Sequence, residues 1–399
     1  MQQQHTMIPY LYLFLVALVT ALLTTPIARK IAWAVDAVDY PSKRRINKKP
    51  IPRMGGIAIF LGIAAAFLTL YLGTEVFGWE AVMVPAPNLR VNYWVIGVAF
   101  CIVFATGMLD DKFQLTPRQK LAGQFLAAVV AVAGGLVIGT IVDPVREGEM
   151  IGLGWIAYPI TVIYLLGYMN VINLIDGLDG LAAGISTIAS ATMFVLAILA
   201  GRYDAAALAI AVSGSSLGFL KHNFHPASVF MGDSGALTLG FALGTTSLLS
   251  VTRVAGLTTI IVPLVIAGIP IIDTFSAIVR RTRAGVSIGH ADRGHIHHRL
   301  LQEGFDQRQT VLLIYAWTAL LCGGSLVMTQ VQTLPRIAIF VLLLAMSLMF
   351  SLHLKLFDPV LLHYYDPKTG DDTLVTPQDE EFEVAAEKFD EEHHHPLAR

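Results

Sequence analysis

The stretch NYWVIGVAFCIVFATGML, residues 92–109, holds no charge, and Asp110, Asp111 and Lys112 follow it at once. As an α-helix it rises about 27 Å, close to the ~30 Å hydrocarbon core of a bilayer. Such a run reads as a membrane-spanning helix that delivers two acids to a water-facing end. The same pattern repeats on both sides of it. Apolar stretches at 8–28, 54–74, 119–140, 154–172, 180–200, 204–220, 235–251, 256–279, 311–330 and 335–355 bring the expected spans to eleven, with 204–220 and 235–251 the weakest. Composition agrees, since 55% of the 399 residues are hydrophobic and only 14% are charged, against about 25% charged in soluble domains. That much apolar surface cannot be hidden in one core, so lipid is part of the solvent. The apolar run at 7–25 has no basic n-region and no small-residue cleavage site, and reads as the first span rather than a signal peptide.

Charge sets the orientation. All but five of the 27 Lys and Arg fall in the loops 29–53, 110–118, 173–179, 221–234, 280–310, the C-terminal tail and the helix ends beside them; the exceptions are Arg90, Arg146, Arg202, Arg253 and Arg336. The positive-inside rule puts the basic set in the cytoplasm. The expected architecture is an all-α integral membrane protein of about eleven spans, N-terminus outside and C-terminus cytoplasmic, multi-pass in the cell inner (plasma) membrane. Residues 1–357 form the membrane domain. The remainder, 358–399, reads as a cytoplasmic tail: from Asp366 onward it has eleven acids against three bases, a composition that favours disorder. The net charge of −2 excludes bulk attraction to nucleic acid. Cys101 and Cys322 lie inside apolar runs and read as small buried hydrophobes. No internal repeat is present, which weakens a transporter built from inverted halves.

Acids are expensive in a membrane protein unless they face water or act, and here they gather in four cytoplasmic groups. Asp110 and Asp111 end span three, at the negative pole of the helix dipole, and need a cation nearby. The next helix opens Thr116-Pro117-Arg118-Gln119, a capping box that brings Lys120 close to them. Asn170, Asn173, Asp176 and Asp179 recur every three residues; if helical, they line one stripe at the end of span five. Asn223-Phe224-His225-Pro226 precedes Phe230-Met231-Gly232-Asp233-Ser234-Gly235, which reads as a helix N-terminus able to bind an anion, with Asp233 as a metal ligand. Gly-Asp-Ser-Gly is also a serine-hydrolase pattern, but an all-helical chain lacks its strand–turn–helix setting. The loop 280–310 carries Arg280, Arg281, Arg283, Arg293, Arg299 and the run His295-Ile296-His297-His298. Arginines suit phosphate and would repel zinc, so anion or sugar recognition is the better reading of that loop. Oxygen ligands beside phosphate-binding bases point to Mg²⁺-assisted phosphoryl chemistry, with Mn²⁺ as a substitute, and the membrane setting suggests a lipid substrate.

These motifs together resemble the polyprenyl-phosphate N-acetylhexosamine-1-phosphate transferases. The resemblance rests on Asp110-Asp111, Asn173-x-x-Asp176-Gly-Leu-Asp179-Gly, Phe230-Met-Gly-Asp233-Ser-Gly, His295-Ile-His297-His298 and Pro52-Arg53-Met54-Gly55-Gly56, and spans residues 8–355. The His-Ile-His-His form is similar to the branch that uses UDP-GlcNAc; the phospho-MurNAc-pentapeptide branch typically has three consecutive histidines. Asn47 stands where that second branch has a histidine. The resemblance implies transfer of GlcNAc-1-phosphate from UDP-GlcNAc to undecaprenyl phosphate, the first membrane step in a cell-envelope glycan. It implies that Asp233 is the metal ligand, helped by Asp110 and Asp176. It implies catalytic roles for Asp110, Asp111, Lys120 and Asp176. Asn173, Asp179, Asn223, Phe230, Arg283, His295, His297, His298 and Arg299 would contact the donor, Phe230 by stacking on uracil. The rival readings are a phospho-MurNAc-pentapeptide transferase and, from another class, a polytopic transporter. Small-residue surfaces could support a homodimer.

Overall fold

Helices dominate the architecture. The computed structural model describes residues 7–41, 49–79, 91–142, 150–250, 268–283, 294–358, 362–365, 372–375 and 384. Twelve α-helices occur among them: α1 (Ile8–Ala34), α2 (Gly56–Glu75), α3 (Tyr93–Phe113), α4 (Pro117–Ala133), α5 (Ala157–Ile175), α6 (Leu181–Leu199), α7 (Tyr203–Asn223), α8 (Gly232–Ser250), α9 (Gly268–Arg283), α10 (Ile296–Gln302), α11 (Gln307–Gln330) and α12 (Thr333–His353). Eight of these, α1, α2, α3, α5, α6, α7, α11 and α12, are long and apolar enough to cross a membrane. Of the other expected spans, α4 has seventeen residues, at the short limit for a crossing. The span expected at 256–279 lies partly outside the described residues.

Three two-stranded antiparallel ladders accompany the helices: β1 (Val38–Asp39) with β2 (Ile51–Pro52), β3 (Thr140–Val142) with β4 (Met150–Gly152), and β5 (Leu362–Tyr365) with β6 (Asp372–Val375). The last pair lies within the acidic tail, where Leu362–Tyr365 pairs in register with Asp372–Val375; the rest of the tail beyond residue 358, Val384 apart, lies outside the described residues.

α8 is the axis of the bundle. It packs on α2, α3, α5, α6 and α7, and nearly every residue from Ser234 to Leu249 is buried. This accounts for the weakness of its apolar signal. A helix enclosed by other helices meets no lipid, so it can carry Thr238, Thr245, Thr246 and Ser247, whose small size permits close approach. α7 shares this character: 78% of its apolar window is buried, against 11% for the peripheral α12.

The beginning of α8 lies against bare backbone. A Cβ added at Gly107 of α3 would fall 2.4 Å from the Cα of Ser234, and one at Gly56 of α2 would fall 2.1 Å from the N of Gly235. Neither position admits a side chain without shifting a helix. The opposite end of α3 is also fixed. Asn92 caps it by accepting from the N–H groups of Trp94 and Val95. Tyr93 donates to Asp204 at 2.8 Å, and Arg202 grips the same buried carboxylate with two nitrogens. The two buried charges are paired within the start of α7, and the Tyr93 hydroxyl ties α3 to them.

Candidate active site

The C-terminal ends of α3 and α5 and the N-terminal ends of α4 and α8 meet at one end of the bundle. The Thr116–Gln119 capping box forms as the sequence indicates, with Pro117 opening α4. It turns Lys120 inward, where its Nζ lies 2.8 Å from Asp233, 3.2 Å from Asp110 and 2.9 Å from the side-chain oxygen of Asn173. The amide nitrogen of Asn173 donates to the other oxygen of Asp233. Oxygens from α3, α5 and α8 therefore converge on a single cation.

That convergence also tests the fit of a divalent metal. Mg²⁺ takes hard oxygen ligands, and commonly only one or two carboxylates plus substrate phosphates. Asp110, Asp233 and Asn173 supply such a set. Among the described residues no group of three or more His, Cys, Asp or Glu side chains is arranged to hold a metal, so the protein's share would be partial and phosphate oxygens would complete it.

The two neighbouring aspartates differ in use. Asp110 accepts from the N–H of Leu115 at 2.7 Å with one oxygen and faces Lys120 with the other. Asp111 turns toward α8. Its carboxylate accepts from the N–H of Asp233 at 2.7 Å, the N–H of Ser234 at 3.1 Å and the hydroxyl of Ser234 at 2.5 Å. It caps another helix across the bundle, and its charge meets the positive end of that helix. This narrows the expectation that the start of α8 offers free N–H groups to an anion, because the carboxylate of Asp111 already takes those of Asp233 and Ser234. Arg53 donates to the backbone oxygen of Asp111 through Nε and Nη2, at 3.2 and 3.1 Å, and so neutralises the end of α3. Arg53, just past β2, forms an isolated bridge with Phe230, whose N–H donates to Pro52 and whose carbonyl accepts from Gly55. Residues 52–56 thereby fix the loop that leads into Asp233.

The amide–acid stripe is only half helical. α5 stops at Ile175, so Asn170 and Asn173 share its face while Asp176 and Asp179 sit on the turn beyond. Asn170 donates to Gln124 of α4. Removal from water pushes the Asp176 carboxyl up to about 7, and the charges of Asp111 and Asp179 add to this while Lys120 opposes it. Asp179 accepts from Ala227 N–H at 3.0 Å and pairs with His225 Nδ1 at 2.8 Å, tying the turn to the loop before α8. Asn223 differs from its expected use as a substrate contact. It is buried, its oxygen accepts from Gly180 N–H and its amide donates to the Val229 carbonyl.

The histidine loop packs on this turn. The His295 and His297 rings stack with centroids 5.8 Å apart, and the His297 and His298 rings lie 4.3 Å apart. A Cβ on Gly177 would lie 2.7 Å from Nε2 of His297. His297 is buried, and burial, followed by the neighbouring His298 and His295, holds its pKa well below the usual histidine value. Arg283 and Arg299, expected to contact the donor, donate to the backbone carbonyls of Phe357 and Asp358. Arg293 lies outside the described residues.

Two residues missed in the sequence support this loop and the turn it packs on. Asp273 of α9 is buried; its carboxylate pairs with His295 Nδ1 and accepts from Ile296 N–H, both at 2.8 Å. A lone acid inside an apolar run is itself a signal, and Asp273 was hidden within the span expected at 256–279. Tyr315 of α11 donates to the Gly180 carbonyl; an aromatic residue in a span carries no such signal.

Comparison with known proteins shows the family. Residues 93–251, from α3 to just past α8, match the model of glycosyl transferase family 4. A probable undecaprenyl-phosphate N-acetylglucosaminyl 1-phosphate transferase of Bacillus subtilis is 39% identical over 86% of this chain and 91% of its own length. A decaprenyl-phosphate N-acetylglucosaminephosphotransferase of Mycolicibacterium smegmatis is 34% identical over 80% of this chain and 82% of its own. A phospho-N-acetylmuramoyl-pentapeptide-transferase of Geobacillus kaustophilus is 32% identical over 79% and 95%. The chain belongs to glycosyl transferase family 4, within the polyprenyl-phosphate N-acetylhexosamine-1-phosphate transferases. It is a multi-pass, all-α integral membrane transferase.

Proposed function

We propose that the chain transfers GlcNAc-1-phosphate from UDP-GlcNAc to undecaprenyl phosphate, giving undecaprenyl-diphospho-GlcNAc and UMP. The observation that carries this is the convergence of Asp110, Asn173 and Asp233 on Lys120, an oxygen-lined cation site where four helix ends meet. The 39% identity to a relative named for this donor class supports GlcNAc over the MurNAc-pentapeptide.

An oxygen of the lipid phosphate attacks the β-phosphorus of UDP-GlcNAc. A new P–O bond forms, the bond from that phosphorus to the oxygen shared with the α-phosphate breaks, and UMP leaves with the electron pair. Phosphoryl transfer of this kind depends on positioning and on neutralising charge. Lys120 supplies a fixed positive charge toward the diphosphate. Asp110, free of the α8 cap, orients the lipid phosphate; a phosphate with second pKa near 6 is already mostly dianionic at neutral pH, so little base strength is required. Asp233, Asp110 and Asn173 would hold Mg²⁺ with Asp176 beside them, and Mn²⁺ would substitute. The metal, when bound, supplies Lewis-acid charge to the phosphate oxygens. Phe230 stacks on uracil, Asp179 shapes the nucleotide side, and His295, His297 and His298 read the sugar.

Arg53 and Lys120 lie at this site, a basic density that fits a site open to the cytoplasm with the N-terminus outside. A cytosolic sugar nucleotide and a lipid of the inner leaflet would meet there. The test is UMP release by the purified chain with undecaprenyl phosphate and Mg²⁺ across a panel of UDP-sugars. Release from UDP-GlcNAc is expected. Release only from UDP-MurNAc-pentapeptide would move the chain to the other branch, and none from any donor would reject the reading.

A further inference from the structure

The end of the last long helix is tied to the histidine loop. α12 closes in a Schellman turn: Leu356 N–H donates to Ser351, Lys355 N–H donates to Leu352, and Lys355 takes φ of +51°. Leu354 and Leu356 are buried and anchor the turn. The three carbonyls that follow each receive an arginine. Arg280 donates to Leu356, Arg283 to Phe357 at 3.1 Å and Arg299 to Asp358 at 2.8 Å.

Arg280 differs from the other two. It is only 2% exposed and also donates to Ser276 at 3.1 Å. Its guanidinium lies where a side chain at position 294 would go: a Cβ on Gly294 would fall 2.3 Å from Nε and 2.8 Å from Cζ. Gly294 directly precedes His295. On the other side of His295, Asp273 holds the ring and the next N–H. The loop thus rests on two members of α9, a carboxylate and a guanidinium, and the guanidinium extends the support to the chain beyond α12.

We propose that Arg280 is a positioning residue for the histidine loop, coupling the segment Leu356–Asp358 to His295–His298 so that this segment sets recognition of the sugar nucleotide. This rests on the reading of the loop as the donor-sugar site. Arginine suits the role because Nη1 alone serves Ser276 and the Leu356 carbonyl while Nε and Cζ lie against Gly294, a planar surface that a lysine stem lacks.

The experiment uses the full chain in detergent, after wild-type UMP release from UDP-GlcNAc has been established. In Arg280→Lys the KM for UDP-GlcNAc should rise about tenfold (about 1.4 kcal/mol), while kcat and the KM for undecaprenyl phosphate change by less than about threefold. Gly294→Ala should give the same split. In the double variant the two effects should not multiply, because the methyl group enters space that the shorter lysine leaves. Shortening the chain to residue 355 should raise the donor KM likewise, while shortening it to residue 376 should not. Amide exchange over residues 295–301 should accelerate in the same variants without any donor, which separates this proposal from the choice of sugar. A donor KM within twofold of wild type in Gly294→Ala and in the chain ending at 355, with unchanged exchange, would overturn it. If Arg280→Lys does not accumulate, those two variants decide.

Discussion

Replacing Asp111 and Asp110 separately by asparagine should separate stability from turnover. Asp111 accepts three hydrogen bonds at the start of α8, from two backbone N–H groups and the Ser234 hydroxyl. An asparagine keeps one accepting oxygen. Its NH₂ would face either the N–H of Asp233 or the N–H and hydroxyl of Ser234, and at least one charge-assisted bond is lost at about 1.5–3 kcal/mol. That loss is the destabilisation expected of Asp111→Asn, about 1.5–3 kcal/mol. At Asp110 the amide oxygen can still accept from Leu115 N–H, and Lys120 keeps the Asp233 carboxylate at 2.8 Å, so the cost should be the smaller of the two, about 1 kcal/mol. The assay is the fraction of monodisperse protein left after heating in detergent, read beside turnover at a temperature where both variants are folded. Asp111→Asn should lose its thermal midpoint by several degrees more than Asp110→Asn. Asp110→Asn should keep the midpoint and lose turnover. An Asp111→Asn protein as stable as wild type would refute the assignment of that carboxylate as the cap of α8.

Asp233→Asn should reduce turnover by more than the ~10–100-fold typical of an outer-shell change at a metal site; turnover that keeps its Mg²⁺ dependence in a metal titration would remove Asp233 from the ligand set. Gly177→Ala places a Cβ 2.7 Å from His297 Nε2, so the loop must shift at about 1–3 kcal/mol, and donor titration should show a raised KM. His297 is held neutral by burial, so the unfolded chain binds a proton below pH ~6.5 that the folded chain does not. The folded pKa is lowered, so stability is full above the unfolded value and falls as pH drops through it, by up to about 1.4 kcal/mol per pH unit. His297→Gln should flatten that slope between pH 7 and 5 in thermal denaturation.

Much of the site was legible because its chemistry is carried by side chains with few uses inside a membrane protein. Asp110, Lys120, Asn173 and Asp233 stood out as polar groups at the ends of apolar runs, and they meet in space. The division of labour between Asp110 and Asp111 was not legible. Adjacent helical residues point about 100° apart, and only the placement of α8 decides which of them meets its N-terminus. The stripe ending in Asp179 keeps its spacing of three past the point where the helix stops, where Gly180, at φ of +81°, lets the chain turn into α6. The partners of Arg283 and Arg299 are backbone carbonyls, which every residue has, so no sequence pattern distinguishes them. The weakness of the 235–251 run came from its central position: a helix shielded from lipid needs small residues more than hydrophobic ones.

The bare-backbone contacts of Gly56 and Gly107 with the start of α8 have a consequence for altering this enzyme. Asp233 is set at a fixed depth by surfaces that admit no extra atom, so the half of the site proposed to handle phosphate has almost no tolerance for redesign. The histidine loop is held instead by separable hydrogen bonds, from Asp273 on one side and the arginines on the other. A programme to change the accepted sugar would therefore find its adjustable parts among residues 294–299 and their supports, and would do well to leave the glycines of α2 and α3 untouched.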